Sequence, residues 1–383
     1  MRSWLSRNLV VITIVSLAQD AASELIYPLM PLLIAGVVGS APLALGIIEG
    51  AAEFAAGVTK LYSGKFSDRF GRKPFVVGGY SLTGVGKAFT VLSLSWPGIF
   101  AGRVIDRIGK GMRGAPRDAL IHDGVEDKDL GKAFGFHRAG DNLGAVIGPL
   151  LALFLLFALN NDVRAVAKWA LIPAAISIFF TFLIKDFKHK NVVKPVTFQK
   201  APLSPKLKRT IAVLVAIQVT NIPDALLLLR LHDIGFSTPG VVVGYMIYML
   251  VATFAAYPAG KIADKLHPKN VYLIGLTFFA AAYITLGLTN NHAIAIIAIA
   301  LYGFFPALTD GVGKTWIGRL SDSSSRGYSQ GVFQASMNFA VLAAGIWGGA
   351  MWSGGSVEIA LVIAGIGALL GALFISQYRA DAA

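Results

Sequence analysis

The chain has no cysteine, which excludes disulfide staples and thiolate metal sites. Histidine is scarce, 6 residues in 383, and none stands at metal-ligand spacing. Charge is thin at 14% of residues, and acids are the rarer sign, 21 against 34 Lys and Arg. No nucleotide loop of the GxxxxGK[ST] form occurs, which argues against ATP-driven pumping. What remains is apolar: 55% of residues are hydrophobic, too many for an ordinary soluble protein. The net charge of +13 would suggest nucleic acid in a soluble chain, but here it is expected on loops facing the cytoplasm, with no nucleic-acid partner.

Twelve segments are long and apolar enough to cross a hydrocarbon core of ~30 Å at ~1.5 Å per residue. They are 9–35, 42–62, 75–95, 98–117, 132–158, 165–184, 210–231, 239–259, 270–289, 292–313, 328–352 and 357–377. Backbone groups cannot stay unpaired in lipid, so each is expected to be a helix of an all-α polytopic protein. The basic Met1–Arg7 stretch leads into a segment too long for a signal-peptide core, read as a retained first span. Links near 60–74, 113–132, 185–209, 261–269 and 314–326 carry 5, 4, 8, 3 and 3 Lys and Arg, whereas 36–41, 95–98 and 290–292 carry none. This asymmetry places both termini and the even-numbered links in the cytoplasm of a multi-pass inner-membrane protein. The basic link 185–209, with Pro195, Pro202 and Pro205, divides a first bundle at 1–184 from a second at 210–383.

Between the second and third spans lies Gly64-Lys65-Phe66-Ser67-Asp68-Arg69-Phe70-Gly71-Arg72-Lys73-Pro74. Its G-x-x-x-D-R-x-G-R-K spacing resembles the loop 2–3 signature of the major facilitator superfamily. The resemblance implies two pseudo-symmetric six-helix bundles that carry a solute by alternating access. It also implies a cytoplasmic gate of Gly64, Asp68, Arg69, Gly71, Arg72 and Asp118. Gly64 is expected to permit close helix approach, and Asp68 to cap the eleventh helix near Tyr328. Asp118 or Asp123 would supply the acid that Arg72 needs. The halves repeat at an offset of 196: Gly64 and Asp68 map to Gly260 and Asp264, Arg138 to Gln334, Asn142 to Asn338. Repeats of six spans are a common build of secondary transporters.

Ionisable residues inside spans cost several kcal/mol unless paired or hydrated, so they mark function. The first span shows Ser16, Asp20, Ser23, Glu24 and Tyr27 on one stripe, the second Glu49 and Glu53, the third Lys87. In the fourth, Arg103, Asp106, Arg107, Lys110, Arg113 and Arg117 share a sector of roughly 120°, which must face water or paired helices. Asp20, Glu53, Lys87, Arg107 and Asp141 lie roughly 14–18 Å deep when counted along their spans. Lys87, in a span peripheral in the family fold, is expected to neutralise Glu53. The candidate substrate and proton-coupling set is Asp20, Glu24, Glu53, Arg103, Arg107, Lys110, His137, Arg138, Asp141, Asn142, Gln334 and Asn338. Gly140, Gly144, Gly148 and Pro149 are expected to serve helix packing, and Gly135-x8-Gly144-x3-Gly148-Pro149 resembles the superfamily's antiporter motif. The second half offers Gln218, Asn221, Pro223 and Asp224 in a kinked seventh span, with Tyr245 and Tyr248 in the eighth.

Together these observations predict a monomeric, proton-coupled exporter of a small organic solute, with no cofactor beyond the proton gradient and no enzymatic activity. The alternative is proton symport of an organic anion or siderophore-like compound, held by Arg103, Arg107 and Arg138. A transport-inactive sensor and a membrane-embedded enzyme are the remote alternatives.

Overall fold

The computed structural model describes residues 5–38, 42–186, 203–322 and 326–377. Most of the expected linker, 187–202, falls outside the described residues. Among the described residues there is no strand, and the chain forms two compact units, Met1–Ser40 with Ala51–Thr197 and Ala41–Gly50 with Phe198–Ala383.

In the first unit, α1 (Arg7–Ile26) passes through a 3₁₀ turn at Tyr27–Leu29 into α2 (Met30–Val38). Then follow α3 (Pro42–Phe70, its start assigned to the second unit), α4 (Arg72–Leu92), α5 (Trp96–Asp123), α6 (Leu130–Ala158), α7 (Val163–Lys168) and α8 (Leu171–Thr181). Ser6 caps α1 by accepting from Leu9 N at 3.2 Å, and Asp162 caps α7 by accepting from Ala165 N at 2.9 Å. Only Gly71, at φ +92°, separates α3 from α4, a left-handed conformation that other side chains resist. The first and sixth expected spans are therefore helix pairs rather than single rods.

Two helix pairs hold this unit together. On α6, an added Cβ at Gly148 would lie 2.7 Å from Ala21 O, and Gly140 and Gly144 press equally closely on Thr13 and Leu17 of α1. On α4 and α5, a Cβ at Gly79 would meet Gly109 O at 2.8 Å, and one at Gly102 would meet Thr90 N at 2.5 Å. Missing side chains let the backbones touch, the usual way to join helices that lipid does not push together. Pro149 is buried inside an uninterrupted α6.

The second unit comprises α9 (Pro205–Gln218), α10 (Asp224–Asp233), α11 (Thr238–Lys265), α12 (Pro268–Leu288), α13 (His292–Leu320), α14 (Arg326–Ser353) and α15 (Val357–Gln377). The seventh expected span is broken outright at 219–223 instead of kinked, with Pro223 as the N-cap of α10. The break leaves carbonyls that the bilayer cannot satisfy. Trp347 Nε1 donates to Val219 O at 2.7 Å, and the Tyr283 hydroxyl to Ile222 O at 3.0 Å. A buried Arg230 guanidinium binds Leu286 O at 3.1 Å, Thr289 O at 3.3 Å and Glu358 at 3.2 Å.

Among the described residues, nine helical segments meet both the length and the hydropathy of a membrane span. Three expected spans are not among them: the fourth, where α5 carries the charged stripe, the seventh, which is split, and the eleventh, α14. Phe154, Phe157 and Phe179 in the first unit, and Phe254, Leu288 and Leu370 in the second, stand out from their units, an apolar surface suited to acyl chains.

Candidate functional site

The charged stripe of α5 meets paired helices. Lys87 Nζ of α4 lies 2.9 Å from Asp106 Oδ1, and Arg103 Nη1 lies 3.5 Å from the other oxygen. Lys87, Arg103 and Asp106 are all buried, and the Arg103 guanidinium also sits 5.9 Å from the Tyr27 ring centroid. Arg107 Nε pairs with Glu53 Oε1 of α3 at 3.1 Å. The expectation that Lys87 neutralises Glu53 is thus corrected: the Gly86–Gly102 contact puts α4 over the inner face of α5, where Asp106 is nearer.

Further along α5 the stripe turns to α1 and α6. The Arg113 guanidinium stacks 4.1 Å over the Tyr80 ring, whose hydroxyl is 2.8 Å from Ser16 Oγ. Arg117 donates to Ser16 Oγ at 3.2 Å, pairs with Asp118 at 3.0 Å and reaches toward Asp141 Oδ2 at 3.9 Å. His137 Nε2 stands 3.6 Å from the same Asp141 oxygen. Asp141 Oδ1 and both His137 ring nitrogens are buried and make no hydrogen bond among the described residues. Asp20 is half-buried on α1, within electrostatic reach of Arg113, Lys110, Arg117 and Asp141.

The structure therefore brings together Asp20, Arg113, Arg117, His137 and Asp141 in one cluster, and Glu53 with Arg107 in another. Glu24 lies against Gly148 at the α1–α6 contact. Lys110, Arg138 and Asn142 are more exposed, with Lys110 within electrostatic reach of Glu53 and Asp20, and Arg138 of Asp141. Gln334 and Asn338 are half-buried on α14, and Gln330 of the same stripe donates to Lys314 O at 2.6 Å.

The loop cluster also differs in detail. Arg72 binds Asp123 and the Ala119 carbonyl, the latter at 2.8 Å, with Asp68 3.9 Å away. Of the two acids offered to Arg72, Asp123 at the end of α5 is the partner, because Asp118 is turned to Arg117. Gly64 is not crowded: an added Cβ would meet Ala115 Cβ at an ordinary 3.6 Å, whereas at Gly111 it would come within 2.5 Å of Ala56 O. Arg69 is exposed beside Phe70.

Asp106, Arg113 and Arg117 are absent from the candidate set. All three stand on the charged stripe, but Lys87, Tyr80, Ser16 and Asp141, which they meet, lie on other helices. Absent too is an interaction in the second unit, where the Tyr248 and Tyr302 hydroxyls donate to Asp224 at 2.9 and 2.7 Å.

Comparison with known proteins agrees with this architecture. The model of the Major Facilitator Superfamily matches residues 12–246 and 209–381. An uncharacterized MFS-type transporter of Methanocaldococcus jannaschii is 29% identical over 357 residues, covering 91% of this chain and 89% of its own. Multidrug resistance protein MdtH of Salmonella arizonae is 25% identical over 315 residues, covering 80% and 76%. Among solved structures, the nucleoside transporter NupG superposes with a TM-score of 0.79 at 12% identity, covering 98% of this chain and 100% of that one. The xylose transporter XylE from E. coli gives 0.73 at 15% identity, covering 98% of each.

Proposed function

The chain belongs to the major facilitator superfamily, and from that premise we propose that it exports a small organic solute in exchange for protons. Membership makes it a membrane transporter and not an enzyme. The family needs no cofactor; the driving force in this reading is the proton gradient across an inner membrane, with both termini cytoplasmic and a monomer as the working unit.

The observation that carries the reading is Asp141. Its carboxylate is buried on α6, with Oδ1 making no hydrogen bond among the described residues and Arg117 at 3.9 Å, too far for a locked pair. A carboxylate so placed is balanced between a guanidinium and a proton, and small changes of hydration decide which holds it. Asp20 on α1 supplies a second acid within electrostatic reach, held there by the close α1–α6 contact at Gly144 and Gly148. A second like charge within electrostatic reach disfavours ionising both acids at once. Proton arrival at Asp141 would remove its pull on Arg117, which already holds Asp118 and Ser16, and so loosen the electrostatic tie between α5 and α6.

The test is reconstitution in liposomes holding a pH-sensitive dye, with a panel of drugs, organic acids and siderophore-like compounds. Solute entering against outward proton movement supports exchange; Asp141→Asn should abolish proton movement while leaving solute counterflow. The reading fails if no compound moves protons, or if sodium replaces them. A second reading, proton symport of an organic anion, is favoured by Arg113, whose buried Nε and Nη1 make no hydrogen bond among the described residues. In that case solute and protons move in the same direction.

A further inference from the structure

We infer that the second unit binds an anionic phospholipid in the groove between α9 and α15, with one acyl chain lying along the groove and the phosphate held by Arg209. The inference goes beyond the transport reading and stands whichever way protons move. Only the name of the leaflet, the cytoplasmic one, rests on the topology proposed above.

The two helices shape the groove. At its inner end they touch: an added Cβ at Gly371 would lie 2.5 Å from Ile217 Cγ1, and one at Gly367 would lie 2.6 Å from Thr220 Cγ2. Toward the start of α9 and the end of α15 the contact opens into a cavity of about 450 Å³. Arg209, Ala212 and Ala216 line it at i, i+3 and i+7, one face of α9, and Leu370 and Phe374 line it from α15. Alanines on the α9 wall leave the width. From Arg209 to Ile217 the groove follows the helix axis for ~12 Å.

The lining selects a chain. α15 is long and apolar enough to cross a membrane, and Leu370 and Phe374 stand exposed on its unit. Within a bilayer such side chains meet acyl chains. Left empty, an apolar groove of this size forfeits the dispersion contacts of every atom along its walls. Water does not replace them, because a water needs two or more polar partners and, among the described residues, Arg209 is the sole charge lining the groove. A flexible methylene chain fits the length and recovers the contacts.

The charge sits where a headgroup belongs. Arg209 lies ~6 Å along α9 from Pro205, and its stem can lie on apolar surface while the guanidinium reaches the interface. Lys206 and Lys208 are exposed in the same turn. α9 has no acid in its first turn, so the positive helix end adds to these cations instead of being cancelled. At the far rim Lys269 Nζ donates to Ser376 O at 2.8 Å, bringing another cation to the end of α15. A guanidinium fork matches a phosphate with two parallel hydrogen bonds. A zwitterionic headgroup would bring its own cation into this cluster, so a net negative lipid is favoured. Basic residues alone would make an ordinary cytoplasmic rim, and a furrow alone an ordinary lipid contact. Placed end to end, they require a ligand that has both an anion and a chain.

The test is native mass spectrometry of the full-length protein in detergent, titrated with dioleoyl phosphatidylglycerol. Dioleoyl phosphatidylcholine serves as the zwitterionic lipid with the same chains, and glycerol phosphate as the headgroup without chains. The wild type should take up one phosphatidylglycerol about tenfold more tightly than phosphatidylcholine, with no competition from glycerol phosphate. Arg209→Gln should erase that preference. Ala216→Leu, which fills the groove from an exposed position and leaves the charge in place, should weaken both lipids about tenfold. Unchanged melting temperatures would exclude misfolding. Equal binding of the two lipids by the wild type overturns the site, as does phosphatidylglycerol binding left unaltered by Arg209→Gln or by Ala216→Leu. Displacement by glycerol phosphate would reduce it to a plain anion site and overturn the lipid. No gradient is present, so a failure here leaves the proton reading standing, and absent proton movement in liposomes leaves this result standing.

Discussion

Lys87 and Asp106 face each other at 2.9 Å where α4 and α5 are pressed so closely that neither Gly86 nor Gly102 has room for a Cβ. The pair is buried, with Arg103 completing the charge on the second carboxylate oxygen. Removing one partner leaves a charge stranded away from water. Lys87→Ala should therefore destabilise the protein by about 3–5 kcal/mol, while Lys87→Met combined with Asp106→Leu costs less than either single change. Thermal unfolding of purified protein in detergent checks the order.

The glycines of α6 divide by what they touch. Gly144→Ala would drive a Cβ into Leu17 O and should cost about 1–3 kcal/mol with reduced yield of folded protein. Gly135→Ala in the same helix meets nothing within 4 Å and should be neutral or stabilising by up to ~1 kcal/mol. Size-exclusion and melting profiles of the two variants should move in opposite directions.

Arg230 ties the end of α12 to α15 with a planar fork, reaching Leu286 O, Thr289 O, Asn290 and Glu358. Arg230→Lys keeps the charge but cannot span these acceptors, so it should lose at least about 2 kcal/mol. Faster amide exchange at 286–290 is the specific readout.

His267 lies in the link before α12 and caps it, its Nδ1 accepting from Lys269 N at 3.2 Å. Partial burial, followed by the nearby Arg319 and Lys269 charges, holds its pKa below the usual histidine value. Folding therefore favours the neutral ring: the cap's contribution is present above the unfolded pKa of ~6.5 and is lost as pH falls. An NMR titration should show His267 titrating below an exposed histidine, and His267→Ala should flatten the acid limb of stability.

Spans, basic links and the charged stripe of α5 were legible in the chain because hydropathy and the 3.6-residue period are local. In the loop between α3 and α4, Gly71 was legible, since its positive φ almost demands glycine, whereas the close approach expected at Gly64 is absent. Partner choice was not. Periodicity says that Lys87 and Arg107 point inward, but which of them meets Glu53 depends on how far each helix is rotated and slid. The glycine contacts decide that, and they are made between residues far apart in sequence.

By itself, then, the sequence determined an all-helical membrane chain with a repeated design and acids and bases buried in its first half. Tertiary structure alone decided that Arg72 meets Asp123, that Arg107 meets Glu53, and that Tyr248 and Tyr302 close on Asp224 at a broken helix. The physical reason is range: hydrophobic periodicity is encoded within one helix, whereas ion pairs and phenol cages are fixed by backbones from different helices approaching within a few ångströms.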